Sequence, residues 1–563
     1  VSVGSSVTTS PREDESVSPP RRRAVPAWLP PGVLALAWLA VLLAHLRTPA
    51  PSDQLNYMTA AAHFPGPVEG TTEIHQVTRY GLVLPVRLAI TVFGYSQAAY
   101  AIVPVMAALA LLLGTYALGT LLFSRTAGVA GALITASATP VFRYSTDLLP
   151  DVLATAQFTC ALALAVFVAR RPDAPGRLPL LAVGLLLGWS YMTREFVVFM
   201  WPVVLVLLYR RARLTGLLWA AVPVLSCVAV ELTLCWRLYG DPFARMLAIV
   251  GHGQGASTPE IAATYRDKPR MEYVMRLPDT LSEYPEGGLF VVLLCLTLLG
   301  GVLFLRRTAV PVAAFASLWV PLTLLGGVID PAAPSLRLQL IRYWIPLFPA
   351  IVLGGVGLLW LGAVFLARRT PAGARTRFAA AAVAVLATAA VVSGTAARHW
   401  WAEPVTRAGG ATQMEALRSW LSGHGGASPR IWTDLRSGRV LEVYRQGPWG
   451  GRAWPARIET IRPGEGTPRP GDLQLRFDAD TGDVCPYCHA AAQTAFKEPI
   501  WRDPGWRRVF STPDHVVVVY RLVQEAPPRP PSGRADASDG GDGESGRRGA
   551  VPVQATAPAA GTS

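Results

Sequence analysis

The chain of 563 residues carries 51% hydrophobic and only 16% charged side chains, a mean hydropathy of +0.34 and a formal net charge of +14. So apolar a composition excludes an ordinary soluble protein and describes a polytopic α-helical membrane protein. The arginines lie in short runs between apolar segments and on no single basic element, which excludes nucleic acid as the partner and reads as a set of topology signals.

Residues 1–25 are rich in Ser, Pro and charge and end in Arg21-Arg22-Arg23, the composition of a disordered cytoplasmic N-terminus. The apolar stretch from Pro26 to Ala44, roughly 19 residues, suffices for a hydrocarbon core of about 30 Å. His45-Leu46-Arg47 follows where a cleavage site would need small residues, so an uncleaved anchor is predicted. Tyr80 to Phe93 is apolar but short and interrupted by Pro85 and Arg87, which predicts an interfacial helix on the outer face. Spans are predicted at 100–123, 126–142 and 151–169. Arg170-Arg171 and Arg210-Arg211 then bracket a stretch with Thr193-Arg194-Glu195 in its middle. Both flanks are cytoplasmic by their arginines, so the crossings between them are even in number: a hairpin of two short helices with Arg194 and Glu195 at its outer tip.

Later spans are predicted at 214–236, 287–305, 309–328, 343–367 and 377–397, giving a transmembrane domain over 26–397 of about 11 transmembrane helices. Arg306-Arg307 and the turn from Arg368-Arg369 to Arg377 fall inside, and loops 237–286 and 329–342 fall outside. This parity places the protein in the cytoplasmic (plasma) membrane with its N-terminus cytoplasmic and a C-terminal extracytoplasmic domain. That small α/β domain covers 400–524, with strands at Arg430–Thr433 and Val516–Tyr520 and a helix over Gly409–Leu421. Residues 525–563 read as a disordered tail.

Ionisable and aromatic residues recur at the outer boundary: Asp53 in Ser52-Asp53-Gln54-Leu55-Asn56-Tyr57, then Arg79-Tyr80, Asp147, Asp151, Arg194-Glu195 and Arg342-Tyr343. A lone loop aspartate is ordinarily a solvated surface acid. Charges beside spans cost free energy unless paired or used, so several on one face predict a cavity. Ordinary alternatives stand beside that reading: a helix N-terminus for Asp151 after Pro150, an interface anchor for Arg342 with Tyr343, and a salt bridge for Arg194 and Glu195.

Over roughly residues 26–397 these stretches resemble the GT-C glycosyltransferases of the protein mannosyltransferase and aminoarabinose transferase type. Asp53 matches the family's first-loop acid, with Gln54 where a second acid often stands. Arg79-Tyr80-Gly81-Leu82-Val83-Leu84-Pro85 matches the first interfacial helix, Thr146-Asp147-Leu148-Leu149-Pro150-Asp151 the second outer-loop acid, and Arg342-Tyr343-Trp344-Ile345-Pro346 the Arg-Tyr that opens a late span. The resemblance implies a polyprenyl-phosphate-linked sugar as donor, a protein, lipid or glycan acceptor, and inversion at the anomeric carbon. Asp53 would accept the acceptor's proton, with Asp151 as a second catalytic acid. Arg342, Arg79 and Arg194 would hold the phosphate, with Tyr80, Asp147, Glu195 and Tyr343 beside the substrate. No acid cluster demands a divalent metal, so metal dependence is left open, and no other cofactor is implied.

Cys485-Pro486-Tyr487-Cys488 is similar to the active site of glutaredoxin-like oxidoreductases, between a strand at Leu473–Phe477 and a helix at His489–Phe496. Outside the membrane such a pair ordinarily closes as a structural disulfide, and with His489 it falls one ligand short of a zinc site. Two other classes compete with the glycosyltransferase, a transporter or lipid flippase and a membrane-anchored thiol oxidoreductase. The first should show paired repeats and broken helices at mid-membrane, whereas here the halves differ and the polar groups gather at one boundary.

Overall fold

The computed structural model describes residues 29–47, 49, 52–66, 74–173, 175–254, 264–369, 374–402, 411–424, 430–445, 456–461, 466–478 and 488–523. The N-terminal segment 1–25, the tail 525–563 and Cys485 lie outside them.

The chain builds a helical bundle and then a small sheet domain. In order, the bundle comprises α1 (Leu29–Ala44), α2 (Asp53–His63), α3 (Ile74–Val77), α4 (Tyr80–Phe93), α5 (Gln97–Leu122), α6 (Arg125–Ser137), α7 (Thr139–Tyr144), α8 (Pro150–Arg170), α9 (Arg177–Thr193), α10 (Trp201–Tyr239), α11 (Ala244–Gln254), α12 (Arg270–Ser282), α13 (Gly287–Leu303), α14 (Leu305–Thr323), α15 (Phe348–Arg369) and α16 (Ala374–Ala402). Six helical stretches among the described residues are long and apolar enough to cross a membrane: 97–122, 150–170, 195–239, 305–328, 345–369 and 375–402. Length alone therefore does not reach eleven. Part of the reason is that α1, α4 and α13 are apolar but shorter, and that the stretch 195–239 joins two legs.

That join reproduces the hairpin. α9 rises to Thr193, a 3-10 turn over Glu195–Met200 reverses the chain, and α10 descends to a break at Arg213, whose φ of 55° no α-helix tolerates. The Arg211 guanidinium donates to the carbonyls of Arg171, Pro172 and Asp173, tying the foot of the descending leg to the end of α8. One expected span divides instead: 126–142 becomes α6 and α7, broken at Ala138. Pro140 at the start of α7 has no N–H to continue the helix, and the 13 residues of α6 measure only about 20 Å. The loop 237–286, expected outside, also carries helices, α11 and α12.

α4 is as short as expected, and its Leu88 and Val92, one turn apart, are exposed on one face. The other face buries Leu82, Val83, Val86 and Ala89, and the mid-helix charge is satisfied because Arg87 donates to the Ala62 carbonyl of α2 at 2.9 Å. α4 crosses α9 at Gly81, where a Cβ would strike the backbone and hydroxyl of Thr193 and where the Trp189 indole donates to the Gly81 carbonyl at 2.8 Å.

The C-terminal domain is a five-stranded sheet in the order β2-β1-β3-β5-β4, from β1 (Arg430–Thr433), β2 (Arg457–Thr460), β3 (Leu473–Phe477), β4 (Trp506–Ser511) and β5 (Val517–Leu522). β1 runs parallel to β2 and β3, and β5 antiparallel to β3 and β4. Among the described residues three α-helices complete it, α17 (Ala411–His424), α18 (Leu435–Tyr444) and α19 (Cys488–Ala495). One apolar cluster runs without interruption from Leu55, Met58 and Val86 of the bundle into Met414, Leu441 and Val517 of the domain. The domain is thus seated on α2, α4 and α5.

Replacing Gly81 by Leu should destabilise the protein by about 1–3 kcal/mol, the cost of an overpacked contact. A lower melting temperature in detergent with unchanged membrane insertion is the expected result.

Candidate active site

Helix ends that are distant in sequence meet at one end of the bundle. Asp53 is the first residue of α2, where a carboxylate suits the positive end of the helix dipole. Its Oδ2 accepts from Arg342 Nη1 at 2.8 Å across 289 residues of chain, and its Oδ1 accepts from Gln76 Nε2 at 2.9 Å. Arg342 sits on a short 3-10 turn ahead of α15, anchored by Trp344, whose indole is buried and donates to the Leu338 carbonyl at 2.8 Å. Both members of the pair keep about a quarter of their side chains exposed, 27% for Asp53 and 24% for Arg342, so the pair reaches solvent. Burial pushes the Asp53 carboxyl up, but Arg342, with Arg79 and His75, outweighs it and holds its pKa below the usual value.

One turn along α2, the Tyr57 hydroxyl accepts from the Arg79 guanidinium, which also lies 3.7 Å from Glu195. Glu195 begins the turn after α9, remains 22% exposed, and meets Arg245 through its other oxygen at 3.2 Å. Arg245 is buried, pairs with Glu231 and donates to the Tyr191 carbonyl at 2.9 Å. Arg194 and Glu195, adjacent in sequence, send their ion pairs to different elements. Arg194 lies 3.0 Å from Asp151 and between the faces of Phe196 and Tyr343, at 4.9 and 5.2 Å from their ring centres. Asp147 pairs with Arg47 at 2.7 Å and has Gln54 beside it; burial raises its pKa although Arg47 opposes the shift. An acid at position 54 would face Asp147, which gives a physical reason for the glutamine.

Each of the carboxylates Asp53, Asp147, Asp151, Glu195 and Glu231 therefore has an arginine partner, from Arg342, Arg47, Arg194, Arg79 with Arg245, and Arg245 respectively. Asp53, Glu195, Arg342 and Tyr343 are partly exposed. Arg79, Tyr80, Asp147, Asp151 and Arg194 are buried. The Tyr80 hydroxyl lies 3.9 Å from Cys235 of α10. Sequence reasoning passed over Arg47, Gln76, Glu231 and Arg245. Glu231, an acid inside an apolar span, carried a usable signal; Gln76 carried none. Among the described residues no group of three His, Cys, Asp or Glu is placed to hold a metal ion. Cys488 is disulfide-bonded, and the His489 ring contacts the Phe477 carbonyl at 3.0 Å. An apolar cavity of about 670 Å³ opens among α1, α6 and α16 beside Trp38, Leu133 and Trp401, and none of the site carboxylates lines it.

Residues 84–239 match the family model of dolichyl-phosphate-mannose-protein mannosyltransferase. Among solved structures, ArnT from Cupriavidus metallidurans bound to undecaprenyl phosphate aligns with a TM-score of 0.52 at 14% identity, covering 88% of this chain and 98% of that one. The fold is that of the GT-C glycosyltransferases. ArnT in the apo state aligns similarly, with a TM-score of 0.51 at 13% identity over 87% of this chain and 98% of that one. No curated protein sequence matches.

Replacing Arg194 by Leu should strand the Asp151 carboxylate and destabilise the protein by about 3–5 kcal/mol. Replacing Asp151 by Leu as well should recover most of the lost melting temperature in detergent, as expected if the pair is structural.

Proposed function

We propose that the protein is a membrane glycosyltransferase that moves a sugar from a polyprenyl-phosphate donor to an acceptor hydroxyl or amine at the outer face of the membrane, with inversion. The observation that carries this reading is the half-open pair of Asp53 and Arg342, a carboxylate and a guanidinium that reach solvent together at the end of a GT-C-like bundle. The undecaprenyl phosphate bound by the structurally similar ArnT supports a polyprenyl phosphate as the lipid.

In the reaction, the donor phosphate takes the Arg342 fork in place of the carboxylate, which frees Asp53 Oδ2. The acceptor oxygen or nitrogen attacks the anomeric carbon from the side opposite the phosphate while its proton passes to Asp53. The bond from that carbon to the phosphate oxygen breaks, and the polyprenyl phosphate leaves with the electron pair. Arg342 stabilises the charge that grows on it. Glu195, held by Arg79 and Arg245, faces the sugar hydroxyls. Asp151 with Arg194, and Asp147 with Arg47, hold the helix ends that form the site.

The proposed orientation follows from the two ends of the helices. Asp151 starts α8 and Arg170 ends it, about 30 Å apart by helix rise. Arg170 lines a cavity of about 290 Å³ with Arg306 and Arg307, the cytoplasmic end by its arginines. Asp53 and the C-terminal domain then face outward.

Asp53→Asn should leave the protein inserted and folded yet reduce transfer by at least about 100-fold, measured with radiolabelled polyprenyl-phosphate sugars and membrane extract. Near-normal turnover would remove Asp53 from the role. Because its pKa lies below the ordinary aspartate value, the carboxylate persists from neutral pH downward and the rate falls only as pH drops through that lowered value. Arg342→Gln removes the main group lowering it and should move the acid limb of the pH profile upward.

A further inference from the structure

A continuous hydrogen-bonded path leads from the C-terminal domain to Asp53. Arg439 Nη1 donates to Asn56 Oδ1 at 2.8 Å, Asn56 Nδ2 donates to Gln76 Oε1 at 2.7 Å, and Gln76 Nε2 donates to Asp53 Oδ1 at 2.9 Å. Its two ends are chemically one-directional: a guanidinium only donates and a carboxylate only accepts. Between them stand two amides, each with one donating and one accepting end. A donor-only group at the start and an acceptor-only group at the finish leave a single arrangement in which all three bonds form, and both amides take it.

We propose that Arg439 is a positioning residue through which the C-terminal domain sets the Asp53 carboxylate, by orienting the Asn56 and Gln76 amides so that an N–H always faces Oδ1. The proposal rests on the assignment of Asp53 above and adds the domain's part in it. Without Arg439 the amides are oriented from the Asp53 end alone, Asn56 is no longer held at its far end, and the Gln76 N–H that faces Oδ1 is held less firmly. The relay also divides the labour of the two carboxylate oxygens. Oδ1 is held by Gln76, while Oδ2 faces Arg342 and is the one released for proton transfer.

The supports of the relay are rigid. Arg439 projects from α18, whose first turn is capped by the Asp434 carboxylate accepting from the Arg436 and Ser437 amides at 2.9 Å each. The Gln76 side chain is buried, and Asn56 and Arg439 are half-buried. The apolar cluster shared by α2 and the domain keeps the two sides in register. Asp53 is faced also by Arg342, Arg79 and His75, and by Tyr57 on its own helix; Arg439 is faced by Tyr95 and Arg436.

The test measures the ionisation of Asp53 itself. Purified full-length protein in detergent is labelled with a carbodiimide and glycine ethyl ester across a pH series, and modification of Asp53 is followed by mass spectrometry. The midpoint of the rate against pH reports protonation, whereas altered accessibility alone scales the rate without moving the midpoint. Arg439→Met and Asn56→Leu should each move the midpoint upward by about half a pH unit, a roughly three-fold change in protonated fraction in the ionised range. The double variant should move it no further, since both changes cut one path. An unmoved midpoint in the single variants, or additive shifts in the double, overturns the relay. Asn56→Leu leaves the domain's own residues intact and serves if Arg439→Met fails to fold. Because the label reads no transfer, a shifted midpoint together with normal turnover by Asp53→Asn would keep the relay and sink the catalytic assignment.

Discussion

A charge at the rim of an apolar bundle must find its opposite, and that requirement organises this protein. Four carboxylates where the helices end, and Glu231 inside α10, meet five arginines, each acid with a guanidinium within 4 Å. Removing such groups from water is costly, and mutual attraction with hydrogen bonds offsets the cost only when the geometry is good. The pairs therefore constrain how α2, α4, α8, α9 and the turn before α15 approach one another. The pair of Asp53 and Arg342 differs from the buried pair of Asp151 and Arg194 in staying partly open to solvent, as the proposed exchange of one partner for a substrate requires.

The apolar packing supplies what the pairs need. Lipid provides little hydrophobic drive between helices, so close contact comes from small residues and backbone approach. Gly81 lets α4 lie against the end of α9, which brings Arg79, just ahead of α4, within reach of Glu195, just beyond α9. The reversal at Arg194 then sends two adjacent side chains to different partners. A tight turn and one missing side chain thus bring Arg79 and Glu195 together.

The sheet domain is part of the same arrangement. Its core is continuous with α2, α4 and α5, and Arg439 meets Asn56 one turn or less from Asp53. A domain so seated restricts α2, the helix whose first residue carries the acid.

Much of the scaffold was legible in the residues. The arginine runs at 170–171 and 210–211 required an even number of crossings, and the hairpin with Arg194 at its tip follows from that local rule. Hydropathy likewise marked most helices, and short apolar runs marked β1, β3 and β5, because both report how each segment meets its immediate surroundings. The break at Ala138 was less visible, since a helix stop at Pro140 competes with a long apolar run. That Asp53 and Arg342 share one membrane boundary was readable; that Oδ2 takes Arg342 and Oδ1 takes Gln76 was not. Composition and charge determined which segments leave water and which ends carry charge. Only the tertiary structure decided which charges pair, which stay open and which are sealed, because partners 289 residues apart are chosen by helix crossings that no local pattern encodes.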